Sequence, residues 1–95
     1  MDKRIKITYK AIRLFKTLTI RVQDILGLNR RMEYLELRYF CNEEQKTKTL
    51  LLFKDSLMGW TDSKGNDLQG FDRLADTLSV YAEKKSIEIA LDSLD

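Results

Sequence analysis

The side-chain pattern changes its period along the chain. Ile5, Ile7 and Tyr9 alternate with Arg4, Lys6 and Thr8, the period of two expected of a strand with one buried face. Near the other end Phe71, Leu74, Ala75, Leu78, Tyr81 and Ala82 recur at spacings of three and four, the stripe of an amphipathic helix. A chain that reads in twos first and in threes and fours last predicts an α+β fold: a mainly antiparallel β-sheet meander closed by one C-terminal amphipathic helix. Its 95 residues are enough for a single domain with a single core.

The strands are expected within residues 4–61. After Tyr9 the apolar phase slips to Ile12 and Leu14, which calls for a tight turn or bulge around Tyr9-Lys10-Ala11. Leu18, Ile20 and Val22 against Thr19, Arg21 and Gln23 form the next strand. Asp24 to Gly27 breaks the alternation, and Asn29-Arg30-Arg31 reads as a turn. Leu35, Leu37, Tyr39 and Cys41 give one face of a further strand. Asn42 to Lys46 is a polar hairpin loop, and the apolar run in Lys48 to Phe53 suggests a strand central to its sheet. That makes four or five strands, with a sixth if Met58 to Thr61 pairs. The helix is expected over 68–85, with Asp67 as N-cap and Lys84-Lys85 at the negative end of its dipole. Ile87, Ile89 and Leu91 alternate again and predict a short terminal strand over 87–91, the alternative being an irregular helical continuation through Leu94.

Composition excludes whole classes of chemistry. There is no histidine, so a Ser-His-Asp or Cys-His pair and an imidazole-ligated zinc site are out of reach. A single cysteine allows neither an internal disulfide nor a Cys-x-x-Cys motif. The glycines, Gly27, Gly59, Gly65 and Gly70, fit no phosphate-cradling loop. Asp62 to Asp67 resembles a calcium loop only in part: Lys64 occupies a ligand position and the glycine comes too early, so a turn is the better reading. Glu43 and Glu44, or Asp72 and Asp76, read as solvated acids rather than an acid/base pair. Cys41, in phase with Leu35, Leu37 and Tyr39, reads as a small buried hydrophobe. No active site, metal or cofactor is expected.

The net charge of +2 conceals an asymmetry, because residues 1–40 carry +6 and residues 41–95 carry −4. A basic first half can serve as an anion-binding face, with Arg4, Lys6, Arg13, Arg21, Arg30 and Arg31 as its residues and Tyr9 or Tyr34 for stacking. It can equally be a solvated sheet face whose charges protect strand edges. Trp60 reads as a core plug between sheet and helix, with a ligand platform as the other role for so large an aromatic. No apolar run approaches the roughly 20 residues of a membrane-spanning helix, and the basic N-terminus lacks a signal peptide's apolar stretch, so a cytoplasmic protein is expected.

The order of features resembles a bacterial pleckstrin-homology-like domain. Leu18-Thr19-Ile20-Arg21-Val22-Gln23-Asp24-Ile25-Leu26-Gly27-Leu28 is similar to the family's strand followed by an Asp-Ile step, and Phe71 to Leu78 is similar to its closing helix. The resemblance runs over residues 4–90 in outline. It implies seven strands before the helix, more than the residues themselves suggest, and binding rather than catalysis: protein partners, peptides, anionic lipid headgroups in some members, and self-assembly through strand edges. Both lines lead to a non-catalytic interaction module that binds a protein partner, or a second copy of itself, through a strand edge or a groove beside the helix. Binding of nucleic acid or an anionic membrane surface by the basic face is the alternative.

Overall fold

The alternating N-terminal segment forms a hairpin. β1 (Arg4–Ala11) and β2 (Leu14–Arg21) pair antiparallel from Arg4↔Arg21 to Ala11↔Leu14, with Ile12 and Arg13 in the turn between them. The expected slip in phase is therefore a tight turn just beyond the predicted place. A bulge accompanies it, because the register of β1 against a later strand shifts between Thr8 and Tyr9. The structure, a computed structural model, describes residues 3–93.

A short 3-10 turn (Val22–Asp24) leads into β3 (Ile25–Arg30), β4 (Tyr34–Cys41) and β5 (Lys46–Phe53). A second 3-10 turn (Lys54–Ser56) precedes β6 (Leu57–Thr61), the two-residue β7 (Asp67–Leu68) and α1 (Phe71–Asp92). The strands form two antiparallel sheets, one ordered β2-β1-β6-β7 and the other β3-β4-β5. The fold is α+β, as expected, and seven strands with one C-terminal helix are consistent with a small pleckstrin-homology-like fold.

Several expectations of detail are corrected. Asn29 and Arg30 close β3 rather than forming a turn; the reversal comes one step later, where the Arg31 amide donates to the Tyr34 carbonyl at 2.9 Å. β5 is an edge strand, not a central one, and its apolar run is apolar on both faces because Leu51 and Phe53 stand half-exposed on the outer one. The strands number seven, not four to six: Leu57–Thr61 does pair, β3 forms where a break and a turn were expected, and β7 is too short to leave a periodic signal.

The helix starts later and ends later than the expected 68–85. Asp67 lies in β7, where its carboxylate accepts the Thr61 hydroxyl at 3.0 Å; Gly70 holds the N-cap position instead. Gly70 has φ 106°, a backbone that side chains rarely adopt, and its carbonyl accepts both the Leu74 amide and the Trp60 indole N–H at 3.2 Å. The predicted strand over 87–91 is absent, since α1 continues to Asp92, and Lys84 and Lys85 are therefore internal. Neither glycine nor proline interrupts 71–92, and extending an established helix gains a hydrogen bond per residue with no new nucleus. The helical alternative through Leu94 reaches outside the described residues.

The core lies between the sheets and the first half of α1. Ile5, Ile7, Ile25, Leu35, Leu37 and Leu52 from the strands meet Phe71, Leu74, Ala75 and Leu78 of the helix. Trp60 joins this cluster at 3% exposure. Cys41 is only partly buried, packed against the cluster's margin.

Candidate functional site

In an antiparallel ladder, paired residues alternate between those that exchange hydrogen bonds with the neighbour and those whose amides and carbonyls point away from it. The Val22 amide donates to the Lys3 carbonyl at 2.8 Å, which fixes the phase of that alternation. Leu14, Lys16, Leu18 and Ile20 then bond to β1, and Phe15, Thr17, Thr19 and Arg21 turn their backbone groups outward. β2 is the outer strand of its sheet, so that outward row is a strand edge.

A groove of about 560 Å³ runs along this edge. One wall is Thr17 to Arg21 of β2; the other is Tyr39 to Glu43 at the end of β4, with Lys48 of β5. Its lower end is pinned by Asp24, whose carboxylate accepts two bonds from the Arg21 guanidinium, at 2.8 and 3.2 Å, and one from the Asn42 side-chain amide at 2.7 Å. This links the exit of β2 to the β4–β5 turn. On the floor, burial pushes the Tyr39 phenol above its ordinary pKa. A hydrogen bond from Lys48 holds the Glu44 carboxyl below its ordinary range, and the same bond raises the Lys48 ammonium.

The upper end of β2 leaves the body of the protein. Leu14 and Phe15 are each 67% exposed, and Ile12 at the tip is 93% exposed with φ 56°. A β-branched residue in the left-handed region is a backbone outlier that costs on the order of 1–3 kcal/mol. Lys10, Arg13 and Lys16 surround these apolar side chains.

The six cations read from the sequence as one anion-binding face do not form one. Arg4, Lys6 and Arg21 share the outer face of the four-stranded sheet, as their register requires, and Arg13 sits at the hairpin tip. Arg30 belongs to the other sheet and faces the helix, donating to Asp76 at 2.6 Å and to Asp72 at 3.4 Å. Arg31 follows it, exposed, in the turn before β4. Arg21 is committed to Asp24. Trp60, the interaction candidate, is buried and bonded to Gly70, which leaves it the core-plug role.

The remaining candidates resolve simply. Asp62 to Asp67 is a turn in which Asp62 accepts the backbone amides of Asn66 and Lys64, each at 2.9 Å, and the Asn66 bond leads in lowering its pKa. Beside the helix lies a second groove of about 420 Å³, lined by Gly27, Asn29, Glu36 and Arg38 of the three-stranded sheet and by Ser79 and Glu83 of α1. Arg38 lies against Gly27 there: an added Cβ on Gly27 would meet the Arg38 guanidinium at 2.7 Å. The β2 groove was missed at residue level, although Phe15, apolar and out of phase with Leu14, Leu18 and Ile20, is a mark of it. No helix among the described residues is long and apolar enough to cross a membrane. Neither protein-family models nor curated proteins nor solved structures give a match to this chain.

Proposed function

We propose that the protein is a non-catalytic interaction module that binds an extended polypeptide segment by strand addition to β2. The observation that carries this reading is a groove with an outward-turned strand edge as one wall, lined by polar residues together with the half-buried Leu18 and Phe40. An added strand takes its affinity from backbone hydrogen bonds to Phe15, Thr17 and Thr19, and its selectivity from alternate side chains that enter the groove. The resemblance to bacterial pleckstrin-homology-like domains and a cytoplasmic setting belong to the same proposal. The basic-face alternative loses support because Arg30 is engaged by helix acids and lies on a different sheet from Arg4 and Lys6.

The test is a displayed library of random peptides selected on the protein and re-measured on Thr17→Pro. Proline removes an amide that points away from β1, so the hairpin's own ladder is spared while strand addition is blocked. Selected peptides should lose binding to the variant at an unchanged melting temperature. Peptides that bind both proteins equally would remove β2 from the reading.

A further inference from the structure

The charge around this edge specifies what it accepts. Between Lys3 and Gln23 the chain carries seven cations, Lys3, Arg4, Lys6, Lys10, Arg13, Lys16 and Arg21, and no acid. At the upper end of β2, Lys10, Arg13 and Lys16 are all exposed and stand beside the exposed Leu14 and Phe15. The acids near the groove lie at its lower end. Asp24 is held by Arg21 and Asn42, Glu44 is bonded to Lys48, and Glu43 lies exposed in the β4–β5 turn. Potential along the groove is therefore positive toward the hairpin tip and compensated toward Asn42.

Two consequences follow for the occupant. A second copy pairing β2 against β2 in the antiparallel sense brings the tip of each hairpin to the base of the other. That pairing supplies no acidic strand to the tip, because β2 carries Lys16 and Arg21 and no acid of its own. An acidic segment is attracted instead, and its alternate aliphatic side chains lie against the half-buried Leu18 on the β2 wall of the groove. We infer that the β2 edge binds an extended, acid-rich segment of another protein whose acidic residues, alternating with aliphatic ones, lie on the outer face with Lys10 and toward Arg13 at the turn, while Lys16 on the opposite face adds to the positive potential. This rests on the strand-addition reading above and names the partner's chemistry.

The test uses three fluorescein-labelled octapeptides that alternate Val with Glu, Gln or Lys, measured by fluorescence polarisation on the whole chain at low and moderate salt. The Glu-Val peptide should bind about tenfold more tightly than Gln-Val at low salt, from exposed ion pairs with Lys10 and Arg13, and the gap should narrow as salt rises. The triple variant Lys10→Glu, Arg13→Glu, Lys16→Glu should reverse the preference toward Lys-Val. N-methylation of alternate residues in the Glu-Val peptide should abolish its binding without changing its charge.

The failures separate. Equal affinity for Glu-Val and Gln-Val, with both peptides failing to bind Thr17→Pro, overturns the acidic partner and leaves strand addition standing. Glu-Val binding that survives N-methylation and Thr17→Pro overturns strand addition itself. If no peptide binds, while the protein co-sediments with phosphatidylserine vesicles and Ile12→Asp abolishes that co-sedimentation, the surface belongs to an anionic membrane and both readings fall.

Discussion

β1 and β2 are two halves of one hairpin, equal in length and similar in composition, and they end in opposite environments. β1 buries Ile5 and Ile7 completely; β2 buries only Ile20, at 3% exposure, and leaves Leu14 and Phe15 two-thirds exposed. The cause is not local. β1 has a neighbour on each side, β2 and β6, and the second of these arrives from about fifty residues further along the chain. β2 has a neighbour on one side only. β6 reaches along β1 only as far as Tyr9, so the end of the hairpin that carries Leu14 and Phe15 runs past the core, and this exposed half is where the interaction surface is proposed.

The largest test of that contrast is Ile7→Ala. Ile7 has no exposed surface and pairs across the sheet with Leu18 on one side and Trp60 on the other. Truncating so enclosed a side chain should cost about 2–5 kcal/mol in chemical denaturation, a large part of a small domain's stability. A cost under about 1 kcal/mol would mean that β1 is not the better-packed partner.

Gly70→Ala probes the same core from the far side, where β7 passes into α1. Space is not the obstacle, because the nearest atom to an added Cβ is Arg73 Cβ at 4.0 Å; the positive φ of 106° is. Backbone strain of this kind should cost about 1–3 kcal/mol, read as a lowered denaturation midpoint at unchanged slope. Because the Gly70 carbonyl also accepts the Trp60 indole N–H, tryptophan fluorescence should report the shift.

How much of this was legible in sequence depends on the kind of information. The alternation around Ile5 and Ile7 and the stripe from Phe71 to Ala82 are local patterns, and both elements formed where those patterns lie. β3 was obscured because a 3-10 turn precedes it and its register against β4 shifts between Ile25 and Gly27, which breaks the period of two. The apolar run of β5 signals apolar side chains on both faces, and only topology decides whether the outer face is covered. The helical tail carries two-residue alternation in Ile87, Ile89 and Leu91, yet all three are more than half exposed on a helix that simply continues. For the candidate site the limit is sharper. Its cations and apolar residues are plain in the sequence, but that β2 is an edge follows from where β6 docks, a long-range pairing with no local signature.

Ile12→Asn tests the hairpin's tip and should have the opposite sign. Asparagine tolerates the left-handed region far better than isoleucine, and at 93% exposure Ile12 has almost no packing to lose. The variant should therefore gain about 1 kcal/mol. A destabilisation instead would show that Ile12 makes contacts within the fold. A gain, joined to weaker binding of a selected peptide, would show that the strained side chain is kept for a partner.

The smallest effect on stability is the most informative about function. Leu14→Ala and Phe15→Ala remove apolar side chains that water already reaches, so each should move stability by no more than about 0.5 kcal/mol. Were β2 packed like β1, the same truncations would match the loss at Ile7, and the contrast between the two strands would collapse. With stability unchanged, any loss of peptide affinity in the Leu14→Ala, Phe15→Ala double variant is a property of the surface alone. Titration calorimetry with a library-selected peptide would then measure what these two side chains contribute, and unchanged affinity would confine binding to the lower groove between Thr17 and Tyr39.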